Sequence, residues 1–318
     1  MEPTPLLQTR PRVLVIRGGA IGDFILTLPA IRLLREGLPN PHLEVLGYPG
    51  IAALATAAGF ADAVRSIEHG AMAPFFAPGA KLDPGLSGYF ASFTLVVSYL
   101  YDPDGFFAGN LKRAGVKTLL QGSHRMEETS EIPAAAQLAR PLEQVALYLE
   151  QPWVSLGLQP PSAPPPVIAF HPGSGSPRKN WGYERWAELA SLLDAESFLI
   201  VSGEAERATI GDLLANLERR GIRFQHLEGA PLPEVAKALV GCQLYVGHDS
   251  GISHLAAACD LPCVLLFGQT NPEIWAPRNP AVTVLRAPGG QLASLTPAAV
   301  AEKLSAEPRA EAERATEG

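Results

Sequence analysis

Short apolar runs and amphipathic stretches alternate along most of this chain, and the alternation starts again midway. Arg12 to Arg17 is a β-branched run that reads as a buried parallel strand. From Phe24 to Glu36, the residues Ile25, Leu28, Ile31 and Leu34 recur at helical spacing, with Pro29 inside the stretch. His42 to Gly47 reads as a second strand, Ile51 to Ala58 as a short helix and Ala63 to Ile67 as a third strand. Periodicity is then lost from Glu68 to Tyr89, among Pro74, Pro78 and Pro84. A loop of that length inside a compact domain is usually functional. Phe93 to Leu100 and Val116 to Leu120 read as strands, and Pro141 to Leu156 has helical spacing. Gln159 to Pro166 is too rich in proline for a helix or a central strand and reads as a linker.

Beyond the linker, strands are expected at Val167 to Phe170, Phe198 to Ser202, Arg223 to Leu227, Leu244 to Val246 and Pro262 to Phe267. Helices are expected at Tyr183 to Leu193, Ala205 to Arg220, Leu232 to Val240 and from Gly251 to Ala258. Strands alternating with helices give an α/β chain with two doubly wound parallel sheets. The expected domains are 1–158 and 167–305, joined by the linker 159–166, with a charged, disordered tail at 306–318.

Composition narrows the function. The chain has 318 residues, a 47% apolar fraction and a formal charge of −7, which argues against a coat on nucleic acid. Cys242, Cys259 and Cys263 form no Cys-x-x-Cys pair and read as reduced core thiols, so neither a disulfide frame nor a metal site is expected. Met1 to Pro11 lacks the apolar run of a signal peptide, and no stretch is apolar enough to span a bilayer. A cytoplasmic monomer is expected, open to peripheral contact with the inner leaflet of the cytoplasmic membrane.

Three loops at strand ends carry candidate chemistry. Gly18, Gly19 and Gly22 precede or flank Asp23 where the first strand enters the first helix. Their spacing is not the Gly-x-Gly-x-x-Gly of a dinucleotide fold, which weighs against a nicotinamide-dependent oxidoreductase. Asp23 reads locally as a helix-start acid, and alternatively as a proton acceptor at the mouth of the sheet. His171-Pro172-Gly173-Ser174-Gly175-Ser176, followed by Arg178 and Lys179, reads either as an anion cradle or as a solvated basic turn. In Gly247-His248-Asp249-Ser250-Gly251, Ser250 is a candidate helix cap and the helix start suits a phosphate, with His254 one turn on. The same residues also read as a tight turn and nothing more. Asp102-Pro103-Asp104-Gly105 suggests a metal pair, but it is also strong turn chemistry, and the turn is favoured.

Taken together, three blocks resemble glycosyltransferase family nine, the ADP-heptose:lipopolysaccharide heptosyltransferases and their relatives. They are the glycine loop with Asp23, the His171 to Trp181 loop, and Gly247 to Ala258 with Ser250 where Thr is common. The resemblance runs from about Arg12 to Pro288. It implies a GT-B fold, two Rossmann-like domains facing across a cleft, with the acceptor bound by the first and the donor by the second. It implies inverting, metal-independent transfer of a sugar from an ADP-activated donor to a hydroxyl of a glycan or glycolipid, with no cofactor. Asp23 matches the general base, and Lys179 the residue facing the donor phosphates. Ser174, Arg178, Glu228, Asp249, Ser250, Gly251 and His254 are the implied donor contacts. A non-catalytic nucleotide-sugar-binding protein is the alternative. Lys81 is the only Lys or Arg from Glu68 to Tyr89, few cations for a heavily anionic acceptor.

Overall fold

The computed structural model describes residues 10–159, 167–176 and 179–304. Most of the proline-rich linker, Arg178 and the 306–318 tail lie outside the described residues. The chain divides into two compact units. One holds the chain up to Glu127 together with Ala134–Val154, and the other holds Glu128–Pro133 and the chain from Ser155 onward.

In the first unit, strands β1 (Arg12–Arg17), β2 (His42–Gly47), β3 (Ala63–Ser66), β4 (Leu95–Ser98) and β5 (Leu119–Gln121) form one sheet in the order β3-β2-β1-β4-β5. Every pairing is parallel. Helices α1 (Ile21–Gly37), α2 (Pro49–Ala57), α3 (Pro84–Ala91), α4 (Phe106–Arg113) and α5 (Ala134–Ala139) accompany the strands. The four middle residues of β1 are wholly buried, because a central parallel strand is covered on both faces. One core cluster combines Leu14 and Ile16 of β1 with Phe75, Phe90, Phe107 and Leu111.

In the second unit, β6 (Val167–His171), β7 (Ser197–Ser202), β8 (Phe224–Glu228), β9 (Leu244–His248), β10 (Cys263–Phe267) and β11 (Val282–Arg286) form a parallel sheet in the order β11-β10-β9-β6-β7-β8. Helices α6 (Tyr183–Leu192), α7 (Ile210–Arg219), α8 (Leu232–Val240), α9 (Gly251–Ala258) and α10 (Pro272–Trp275) connect them. Its core gathers Phe170, Trp181, Trp186, Phe198, Val246 and Leu266. All three cysteines are buried and free. Burial pushes the Cys242 and Cys259 thiols up to about 12, and Cys263 well above its ordinary value.

Several expectations need correction. Pro141 to Leu156 is not a helix. Arg140–Val145 is a 3-10 stretch that ends at Ala146, in the left-handed region at φ 59°. Pro141 lacks the N–H that would continue the turn of α5. The region Glu68 to Tyr89 is not one loop: it contains a 3-10 stretch, Gly70–Phe76, and then α3. Helix α3 starts where Asp83 accepts the Leu86 N–H and Pro84 occupies the first turn. Helix α4, helix α10 and strand β11 were not anticipated.

Each sheet reverses direction at its first strand. The chain runs from β1 to β2 on one side and returns to β4 on the other. It runs from β6 through β7 to β8, then crosses to β9. The carboxyl ends of β1 and β4, and of β6 and β9, are therefore where such folds hold ligands.

Candidate active-site residues

In the first unit, β1 ends on Arg17 and the chain turns through Gly18, Gly19 and Ala20 into α1. Gly19 sits at φ +102°, and a Cβ there would meet Asp23 Oδ2 at 2.9 Å. Both the backbone conformation and the close approach require glycine. Asp23 lies in the first turn of α1, and its Oδ2 accepts the Ala20 N–H at 3.2 Å. This is the helix-start role that the local sequence favours, and the positive end of the helix supports the carboxylate. The side chain is nevertheless 40% exposed.

The buried Arg17 guanidinium backs this acid. Its Nη2 donates to the Asp23 carbonyl at 3.3 Å and lies 3.7 Å from Oδ1, while its Nε has no partner among the described residues. Burial lowers the Arg17 pKa, an effect opposed by the nearby Asp23 charge. The aspartate pair resolves as a turn. Both Asp102 oxygens accept helix-start N–H groups, from Phe107 at 3.0 Å and Ala108 at 2.8 Å. Among the described residues, no group of three His, Cys, Asp or Glu side chains is placed to hold a metal ion.

In the second unit, β6 and β9 are neighbours, so the loops that follow them meet. Lys179 Nζ donates to Asp249 Oδ2 at 2.5 Å, joining two residues far apart in the chain. Lys179 is 43% exposed and Asp249 only 11%. Asp249 thus holds a cation whose other face is open. Immediately afterwards, Ser250 caps α9 by accepting the Ser253 N–H at 3.3 Å, and Gly251 opens the helix. The first-turn N–H groups of α9 and the Lys179 ammonium are together an anion-binding arrangement.

The other expected donor residues are placed as follows. His254 is buried one turn into α9, its N–H bonded to the Ser250 carbonyl at 3.3 Å. The Ser174 hydroxyl is spent inside its own loop, 2.7 Å from both the Ser176 carbonyl and Asn180 Oδ1. Glu228 ends β8 and pairs with Arg207 at 3.1 Å. Gly22 lies within the first turn of α1, and Gly18 has Leu100 and Tyr48 as its nearest neighbours.

Two buried groups near the second loop had no role in the sequence reading. Glu206 accepts the Gly203 N–H at 2.8 Å and packs so tightly on Gly173 that a Cβ there would lie 2.0 Å from the carboxylate. His248, wholly buried, accepts the Trp181 N–H on Nε2 at 2.8 Å. The only available signal was a histidine closing an otherwise apolar strand.

Two doubly wound parallel units, with loops of this kind at their switch points, define the GT-B class of glycosyltransferase folds. The sequence pattern of glycosyltransferase family 9 (heptosyltransferase) matches residues 117–304, and the chain belongs to that family. It is similar to lipooligosaccharide heptosyltransferase 2 of Haemophilus influenzae, 30% identical over 40% of this chain and 38% of that one. It is likewise similar to lipopolysaccharide heptosyltransferase 1 of Pseudomonas aeruginosa, 35% identical over 48% of this chain and 41% of that one. The matches thus span about two fifths of the length of these curated relatives. Among solved structures, the Escherichia coli heptosyltransferase WaaC with ADP shares the fold at a TM-score of 0.70 and 20% identity, covering 92% of this chain and 99% of that one.

Proposed function

We propose that this chain is an inverting glycosyltransferase that moves a heptose from an ADP-activated donor to a hydroxyl of a lipopolysaccharide-core or other cell-surface glycan, without a metal. The observation that carries the reading is the Lys179–Asp249 pair set beside the capped start of α9, inside the stretch that matches the family pattern. A diphosphate leaving group carries growing negative charge as the sugar departs. Lys179 and the α9 N–H groups offset that charge without a metal ion. Asp249, holding Lys179 through one carboxylate oxygen, turns the other toward sugar hydroxyls. Ser250 supplies its hydroxyl and Gly251 its backbone N–H to the diphosphate, while His254 flanks the phosphates.

The first unit contributes the base. Asp23 takes the proton from the acceptor hydroxyl as its oxygen attacks the anomeric carbon, and the sugar–diphosphate bond breaks on the opposite face. The proton ends on the carboxylate and the electron pair on the departing diphosphate. Single displacement of this kind inverts the anomeric centre. In this reading a glycolipid acceptor is met by peripheral contact at the inner leaflet; no helix of the described residues is long and apolar enough to cross a membrane.

The test is thermal stabilisation by ADP, UDP, GDP, CDP and NAD, each with and without magnesium. A ligand that binds only the folded state adds about 2.7 kcal/mol at a hundred times its dissociation constant. A shift with ADP alone, indifferent to magnesium, is expected. A shift with UDP or GDP alone discards the ADP-heptose donor, and a shift with NAD alone discards the glycosyltransferase reading.

A further inference from the structure

The loop that carries Lys179 leaves the sheet at His171 and reaches Trp181 just before α6. What fixes its two ends is a single side chain from another strand. His248 is the last residue of β9 and has no exposed surface. Its Nε2 lies 2.8 Å from the Trp181 backbone nitrogen, which can only donate, so Nε2 carries no proton. The remaining ring proton is therefore on Nδ1, which faces the Gly173 carbonyl at 3.4 Å, a long hydrogen bond. One imidazole thus bridges the start and the end of the loop. Burial holds the ring pKa down to about 3, which keeps it neutral and preserves this donor–acceptor arrangement.

The surroundings fix the ring from other directions. It meets the Trp186 indole edge-on at 5.2 Å between centroids. The His248 carbonyl accepts the Ser253 hydroxyl. The anchor at the returning end is itself held, because Trp181 Nε1 donates to the Leu295 carbonyl at 3.0 Å. Between the tied ends, the loop reaches out to Lys179, whose ammonium meets Asp249, the residue next to His248. Consecutive side chains of one strand end therefore hold the base of the loop and its charged tip.

We propose that His248 is a positioning residue for Lys179, tying Gly173 and Trp181 so that the loop between them presents its ammonium to the donor diphosphate. This rests on the reading of Lys179 as a donor-phosphate residue. Simple packing against Trp186 is the rival explanation, and the two make different demands on the side chain. His248→Phe keeps an aromatic ring but loses both hydrogen bonds. His248→Gln brings an amide oxygen to the place of Nε2, where it can still accept the Trp181 N–H.

The first arm needs no ligand. The full chain is treated with trypsin under native conditions, and cleavage after Lys179 is compared with cleavage after Lys237, in the last turn of α8. The ratio is expected to rise about tenfold in His248→Phe and less than about twofold in His248→Gln, as local opening of the loop costs less than opening a helix. An unchanged ratio in His248→Phe, or equal rises at both lysines, overturns the proposal. Should His248→Phe not fold, amide hydrogen exchange in the parent decides the matter. The Trp181 N–H must exchange as slowly as the amides of β9, and exchange as fast as at Gly175 overturns it.

The second arm measures ADP affinity by calorimetry in His248→Phe, Lys179→Ala and the double variant. Each single change is expected to weaken ADP about tenfold. The double should be no more than about twofold weaker than Lys179→Ala, because both act through one group. Fully additive losses overturn the positioning role. A parent that does not bind ADP removes the donor assignment, while the proteolysis arm still judges the tie on its own.

Discussion

The loop after β1 and the loop after β6 leave corresponding places in their two sheets but are built differently. The first is three residues long, Gly18 to Ala20, and runs straight into the 17-residue α1. Its acid, Asp23, is part of the helix, held by the turn itself through the Ala20 N–H. The second runs from Pro172 to Gly182 before α6 begins. Its cation, Lys179, stands within the loop, and the loop is held by groups from other elements: Asp249 and His248 from β9 and the turn after it, and Glu206 ahead of α7. A short loop positions a group locally. A long loop needs contacts distant in sequence, and it gains a side chain that can adjust to a ligand.

This contrast sets the order of expected losses. Asp23→Asn removes the proposed base and leaves the helix start intact, since an amide oxygen can still accept the Ala20 N–H. Turnover should fall about a thousandfold, with ADP affinity unchanged by calorimetry. Equal turnover in variant and parent would remove Asp23 as base. Lys179→Ala should reduce turnover about a hundredfold and also weaken ADP, because its proposed role is on the diphosphate. If ADP affinity holds, the second loop does not face the phosphates.

Substitutions of the two glycines separate local from distant support. Gly173→Ala forces a Cβ into the buried Glu206 carboxylate, and the strain should cost about 2 kcal/mol in urea unfolding. Gly19→Ala places a side chain at positive φ against Asp23 Oδ2, for about 1 kcal/mol, and displaces the carboxylate proposed as the base. Its turnover should therefore fall more than its stability. Equal stability losses at the two sites would erase the distinction.

The last effect lies away from both loops. Asp62 is partly desolvated, which by itself raises its pKa. The Leu43 N–H and the Arg35 and Arg10 guanidiniums more than reverse this and hold it to about 2. Since the folded value lies below the unfolded one, its stabilisation is present above about pH 4 and fades as pH falls toward 2. Asp62→Asn should cost about 1 to 2 kcal/mol at pH 7 and progressively less as pH falls through 2, read from melting curves across pH.

The parts of the fold legible in the sequence are those that burial dictates. Strands β1 and β2 begin and end where their apolar runs do. Helix α8 does the same, its apolar residues repeating on one face. What escaped was decided elsewhere. Strand β11 is a half-exposed edge of five residues, too weak a pattern to stand out. Helix α4 is announced less by its own Phe-Phe-Ala-Gly-Asn than by Asp102, whose carboxylate caps it from the preceding turn. In the site, glycines and charges at strand ends marked the loops. The meeting of Lys179 with Asp249 depends on β6 lying beside β9, a neighbour relation that no local pattern encodes. Ser174 shows the opposite limit, a hydroxyl in the expected loop that turned inward to brace it.

The three buried cysteines have a practical consequence. A thiol held protonated at neutral pH is a poor nucleophile toward maleimides and related electrophiles. A cysteine introduced at Gly175, where a Cβ meets open space, would react far faster than Cys242, Cys259 or Cys263. The native chain is thus already a silent background for attaching a single fluorophore or spin label to the Lys179 loop.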